Sequence, residues 1–325
     1  MANTTLTQLP ANIQGFYDRN LLERAEALLM HDRFGQKRKL PAKNGTRTNF
    51  RRYSNLAVAT TALTEGVTPS GSQLAVTDIN ATVSQYGDFV TLTDQVKTHG
   101  LDNTVAEATD ILGYQMGQTL DTVWRDSVVP SLANSVTIAT SEAATVAGNI
   151  ITVASIKAAI LQLKSQNAMK FTPMIGASDK VGTSAVRPAF WGILNPDVTF
   201  DLEDQTGFVS AENYASTKTL SEGEVGAVKD VRFVETTQGY INTDGGALTV
   251  DTYHTPIFAK NAYGVVNVRG KGNAGVIVKP LGSAGSADPL DQRSTIGWKA
   301  TTVAKILNDA YAVKIISSSS QGSNS

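Results

Sequence analysis

Three histidines, His31, His99 and His254, are the only side chains with an ordinary pKa near neutrality. No His-Glu-x-x-His or comparable ligand spacing joins them, so no metal site or catalytic base is assigned to them. The chain has no cysteine, which closes thiolate metal sites, Cys–His nucleophiles and disulfides together. No Gly-x-Ser-x-Gly elbow is present. The glycine-rich run RGKGNAG (269–275) lacks the four-residue spacing and the Lys-Ser or Lys-Thr of a phosphate loop, and no helical pattern follows it; it reads as a tight turn between strands. Asp201, Glu203 and Asp204 have the charge to hold a cation but read first as an exposed acidic loop. No catalytic, cofactor-binding or metal residue is therefore expected, and enzymatic turnover is not the reading.

The remaining chemistry is charge. Between Arg33 and Arg52 stand eight basic residues, Arg33, Lys37, Arg38, Lys39, Lys43, Arg47, Arg51 and Arg52, and no acidic one. From Glu65 to Asp121 the sign reverses: Glu65, Asp78, Asp88, Asp94, Asp102, Glu107, Asp110 and Asp121 stand against Lys97. Two readings are open. A basic arm can follow a nucleic-acid backbone, or the two blocks can meet between copies of the chain. The net charge of −1, reached by segregating the signs, favours the second. Arg33, Lys37, Arg38, Lys39, Arg47, Arg51 and Arg52, with Glu65, Asp78 and Asp88 opposite, are thus the candidate subunit-interface residues. Charged residues make up 18% of the chain and hydrophobic ones 41%, a weakly charged surface around a real core. No run approaches the roughly 18 apolar residues of a membrane span, and no signal peptide opens the chain.

The longest element that must position these residues is a helix over Leu101–Leu132. Val105, Ala108, Leu112, Met116, Leu120, Val123 and Val128 recur at helical spacing, and Ile111, Trp124 and Val129 widen the stripe. Asp102 stands at the N-cap position, and Pro130 stops the helix near Val129. About 27 helical residues span roughly 40 Å. Asp121 and Arg125 are spaced to pair on the wet face. Gly113 and Gly117 weaken the helix unless another element packs closely there, so they are the candidates for close helix packing.

Before this helix, Phe16–Met30 reads as a short amphipathic helix after a loose polar start. Thr46–Asn55 and Ile79–Val96 read as two strands of a long excursion with a loose Gly/Ser/Thr/Pro tip, Gly87 marking a bulge. After it come short β-prone segments, Val136–Thr140 and Ile150–Val153, and a helix over Val153–Asn167. A mixed α/β lobe follows, with strands at Phe171–Ile175, Ala189–Leu194, Thr249–Tyr253, Gly264–Val268 and Val276–Lys279. Asp197–Ala215 reads as acidic loop or short helix. Thr295–Ile316 alternates, turns at Asn308-Asp309 and returns, the pattern of a hairpin. Ser317–Ser325 is a polar tail expected to be disordered.

This order of parts resembles the major capsid proteins of tailed bacteriophages. More narrowly, ADPLDQRSTIGWKATTVAKILNDAYAVKI (287–315) and FYDRNLLERAEALLMHDRFGQKRKLPAKNGTRTNFRRY (16–53) resemble the two ends of the N4-like branch. The resemblance implies an α+β, Hong Kong-type capsid fold: N-terminal arm (1–45), E-loop (46–97), P-domain with the spine helix (98–167), A-domain (168–285), a return hairpin (286–316) and the tail (317–325). It implies a homo-oligomeric icosahedral shell of pentamers and hexamers around double-stranded DNA, assembled in the bacterial host cytoplasm. No cofactor and no membrane partner are implied, while a decoration or scaffolding protein stays open as a partner. Some relatives crosslink through an E-loop lysine; Ala59–Thr77 holds none, so crosslinking is not expected. A sheath or tail-tube protein, and a nucleic-acid-binding module using 33–52, are the alternatives.

Overall fold

A computed structural model of the chain describes residues 29–41, 45–68, 70–99, 104–171, 188–213, 221–268, 275–283 and 288–321. Most of the expected N-terminal helix, the proposed Asp102 cap, most of the Phe171–Ile175 strand and the RGKGNAG turn fall outside these residues.

The strand β14 (Arg293–Ile306) organises the first of two large sheets. Its buried positions alternate through Ile296, Trp298, Ala300, Thr302 and Ala304, the period-2 signature of a strand with one face packed. Along one edge it pairs antiparallel with β12 (Tyr263–Val268) and β13 (Gly275–Lys279), and along the other with β4 (Ser84–Thr93). The strand β1 (Gln36–Leu40) adds parallel to β12. The short helix α1 (Asp94–His99) follows β4, and the long helix α2 (Thr104–Val128) lies across β14. Helix α2 buries Leu112, Met116, Leu120, Trp124 and Val128, and Trp124 Nε1 donates to Thr302 Oγ1 at 2.9 Å. Ile111 does not belong to that stripe, being 65% exposed.

The second sheet has the strand order β5-β15-β11-β6-β9-β8-β7, with β10 pairing β11. Its members are β5 (Ser135–Thr137), β6 (Phe190–Leu194), β7 (Phe208–Ser210), β8 (Glu224–Val228), β9 (Val231–Glu235), β10 (Tyr240–Asn242), β11 (Thr252–Phe258) and β15 (Ala312–Ser317). Helix α3 (Val153–Ser165) packs on β15 and β5. Its N-terminus is closed by a capping box in which Ser155 N–H donates to Thr152 Oγ1 and Thr152 N–H to Ser155 Oγ. Helix α4 (Pro196–Glu203) starts from an Asn195 cap with Pro196 in its first turn.

Several expectations are corrected. β14 and β15 are not a hairpin, because they lie in different sheets; the chain turns at Leu307 and Asn308, whose N–H groups both donate to Ala262 O. Ile79–Val96 is two strands. β3 (Val76–Thr82) pairs with β2 (Arg47–Tyr53) as a two-stranded ribbon, and past Val83 the chain leaves to join β14. The β4 register runs through Gly87 without a bulge; a Cβ there would lie 2.5 Å from Trp298 O, so the glycine permits close approach of two strands. Ile150 makes one isolated bridge, to Ser318. The serine tail is not loose at its start: Ser317, Ser318 and Ser319 are buried, and Ser318 and Ser319 donate to Ala147 O and Asp197 O.

Candidate assembly surfaces

Five of the seven basic interface candidates, from β1 and β2, line one groove. The groove measures about 1390 Å³ and is lined by Arg38, Lys39, Arg47, Arg51 and Arg52 and, among the described residues, by no carboxylate. Arg38 lies over the Phe50 ring, 5.4 Å from its centroid, and its Nη1 donates to Asn49 O at 2.6 Å. Arg52 Nη1 donates to Asn308 Oδ1 at 2.8 Å, a neutral partner. Arg51 faces Asp78 across the ribbon, with Nε 3.1 Å from Oδ1. Lys39 and Arg47 have no partner among the described residues. Thr46 O and Ser54 N bond β3-side groups at Val83 and Ala75. The even residues of β2 therefore serve the ribbon, and the odd ones, Arg47 to Tyr53, turn their backbone groups to the outer edge. Arg33 and Lys37 lie outside the groove and are paired within the chain, to Glu222 at 2.9 Å and Asp32 at 2.5 Å.

The acidic candidates do not form one surface. Asp78 pairs with Arg51. Asp88 accepts from Gln115 Nε2 at 2.6 Å and from Phe89 N–H at 2.8 Å, and these two donors, Gln115 first, hold its carboxyl below the ordinary carboxylate value. Glu65 stands exposed in the long loop between β2 and β3. Asp121 is fully buried rather than paired to Arg125 on a wet face. Its Oδ1 accepts from the N–H groups of Met30 and His31, and its Oδ2 bonds His31 Nδ1 at 2.8 Å. Arg125 instead donates to Asp126 and to the carbonyls of Gln238 and Gly239. Gly113 and Gly117 are both buried on α2.

Sequence reading missed two apolar features. The loop between β2 and β3 exposes Leu56, Val58, Leu63, Val67 and Leu74, the most exposed at 86%. On β4, Phe89 is 65% exposed and Val90 38%, on a strand whose second edge has no partner among the described residues. Long exposed apolar edges and patches of this kind mark contact with another chain. Of the β4 side chains, Tyr86 and Leu92 pack on the core.

No group of three His, Asp or Glu side chains among the described residues is placed to hold a metal, and no described helix is long and apolar enough to cross a membrane. Asp201 does not lie in an exposed acidic loop but in α4. It is buried and accepts from Ser320 N–H at 3.0 Å and from the Ser320 hydroxyl.

That architecture is the Hong Kong-type shell fold. The chain superposes on a subunit of the capsid of Ralstonia phage GP4 with a TM-score of 0.66 and 13% identity, covering 89% of this chain and 88% of that one. It superposes on the capsid protein of cyanophage P-SCSP1u with a TM-score of 0.62 and 13% identity, covering 89% and 88%. The SrpI encapsulin of Synechococcus elongatus PCC 7942 follows at 0.56 and 8%, covering 97% and 91%. By sequence alone no curated protein matches. The phage capsid protein family model matches residues 76–315, well over half of the chain, and the chain belongs to that family. It is a structural coat protein that forms the phage shell, not an enzyme.

Proposed function

We propose that copies of this chain close into the icosahedral head of a tailed phage of the N4-like branch, around double-stranded DNA that the coat contacts without sequence specificity. Assembly takes place in the host cytoplasm, with a decoration or scaffolding protein as a further partner. The observation that supports a direct role in subunit contact is the groove of five cations, in which Lys39 and Arg47 have no counter-charge among the described residues. A neighbour's acidic segment, Glu65 included, would complete it and orient copies before the apolar loop and β4 edge are covered. Gly113 and Gly117 serve close packing of α2 inside the subunit rather than contact between subunits.

Arg47→Glu combined with Arg51→Gln tests the groove. The second change removes a cation without setting a carboxylate against Asp78, and the Arg51–Asp78 pair is exposed enough to contribute little to folding. The expected variant is a folded monomer that fails to assemble. Electron microscopy of the parent should show closed shells; tubes would instead indicate a sheath or tail-tube protein. Normal shells from the double variant would remove the groove from the interface. Salt-dependent DNA binding by the free subunit, lost in the same variant, would turn the groove into a nucleic-acid site.

A further inference from the structure

The turn that follows β10 is bolted down at its base and strained at its apex. Glu142 Oε1 accepts from Asn242 Nδ2, Thr252 Oγ1 and His254 Nε2, each at 2.8 Å. Asp244 N–H donates to Asp251 Oδ1, Ala247 N–H to Thr145 O, and Gly246 N–H to Val250 O. A Cβ on Gly246 would lie 2.6 Å from Thr145 O, so the turn is pressed against its neighbour. Within this frame Asp244, Leu248 and Thr249 have φ of 57°, 55° and 61°. Aspartate tolerates that region, but leucine and the β-branched threonine do not. Leu248 is also 90% exposed, the most exposed large hydrophobic side chain among the described residues. At that exposure, the described residues give the leucine little to pack against. Strain held rigidly beneath an exposed apolar side chain marks a pre-organised anchor.

We infer that Leu248 is a knob that docks on the next copy of this chain, against the apolar margin formed by Val209 of β7 and Phe200 of α4. This rests on the shell reading. Val209 is 45% exposed and Phe200 60%. The knob hangs from β10, which lies end to end with β6 along one edge of β11; β9 and β8 separate that row from β7, a displacement of roughly 14 Å at the usual strand spacing. A knob and a socket at different places on the subunit make a head-to-tail contact, the kind that closes rings of identical copies.

The test is the critical concentration for shell assembly, read beside the melting temperature of the free subunit. Leu248→Asn relieves the backbone and removes the knob. The subunit should melt at or above the parent's temperature, while the critical concentration rises about tenfold or more, as for loss of a buried anchor. Val209→Asn should raise it likewise, and Leu248→Met should restore assembly. Parental assembly by Leu248→Asn, a lower melting temperature for it, or failure of Leu248→Met to rescue would each overturn the knob. Parental assembly by Val209→Asn would overturn the socket. If the parent itself makes no shells, the shell reading fails first.

Discussion

Glu142 sits under three donors, Asn242, Thr252 and His254, with Lys314 in electrostatic reach. Burial pushes the His254 imidazole below its ordinary 6.5, and the Glu142 carboxylate only partly opposes this. Burial pushes Glu142 up, but Asn242, His254 and Thr252 together outweigh it and leave the carboxyl below its ordinary 4.5. Both shifts have the same consequence. A folded state that resists protonating His254 is fully stabilised above about pH 6.5 and loses that stability as pH falls toward the depressed folded value; Glu142 adds a second loss at lower pH. Melts between about pH 7.5 and pH 5 should therefore show falling stability, and His254→Asn, which keeps a donor for Glu142, should flatten the upper part of that slope. An unchanged slope would mean that His254 does not titrate in this window. None of this was legible in the sequence. His254 and Glu142 are 112 residues apart, and His31 and Asp121 are 90 apart. Only the fold brings such pairs together, so a reading based on local spacing saw scattered histidines and an i, i+4 pair that does not form.

Among elements, the long helix was readable because one apolar stripe and one terminating proline govern it. β14 was readable because its alternation coincides with burial. The expected hairpin failed because alternation tells which face of a strand is buried and not which sheet the strand joins. Asn308 caps the short turn over Asp309–Tyr311 and accepts from Arg52, so its side chain anchors a crossing between sheets. The C-terminal segment failed for another reason: serine composition predicts disorder, but here the hydroxyls and N–H groups satisfy buried acceptors. Ser320 is what occupies the buried carboxylate of Asp201. Deleting residues 318–325 should leave that carboxylate and the carbonyls of Ala147 and Asp197 without these donors. Each buried group so orphaned costs about 1–3 kcal/mol, and the melting temperature of the subunit should drop by several degrees. A truncated subunit that melts like the parent would show that these contacts contribute nothing to stability.

At the scale of the molecule, two sheets and an expected division at residue 168 suggest two lobes that could unfold separately. The cores argue otherwise. One cluster joins Leu112, Met116 and Trp124 of α2 and Val265, Trp298 and Ala300 of the first sheet to Trp191 and Ile193 of β6, Val234 of β9, Phe258 of β11 and Ala312 of β15 in the second. The chain is also interleaved: β5 and α3, before residue 168, serve the second sheet, while β12 and β13, after it, serve the first. Phe34 stacks on Trp191 with ring centroids 5.1 Å apart, so the segment leading into β1 is tied to the second sheet as well. Opening either sheet alone would expose the shared cluster and leave the buried Asp121 without its Met30 and His31 donors. Such a cost makes partial unfolding unfavourable relative to global unfolding. The expectation is one cooperative transition. In an assembly-blocked background such as Arg47→Glu with Arg51→Gln, amide hydrogen exchange should give the slowest amides of β11 and β14 the same opening free energy, and denaturant should lower both in parallel. The described groups on the loop between β2 and β3 should exchange far faster, since they are exposed in the free subunit. Two distinct opening free energies for β11 and β14, with separate denaturant dependences, would mean that the shared cluster does not couple the sheets and that the subunit behaves as two domains.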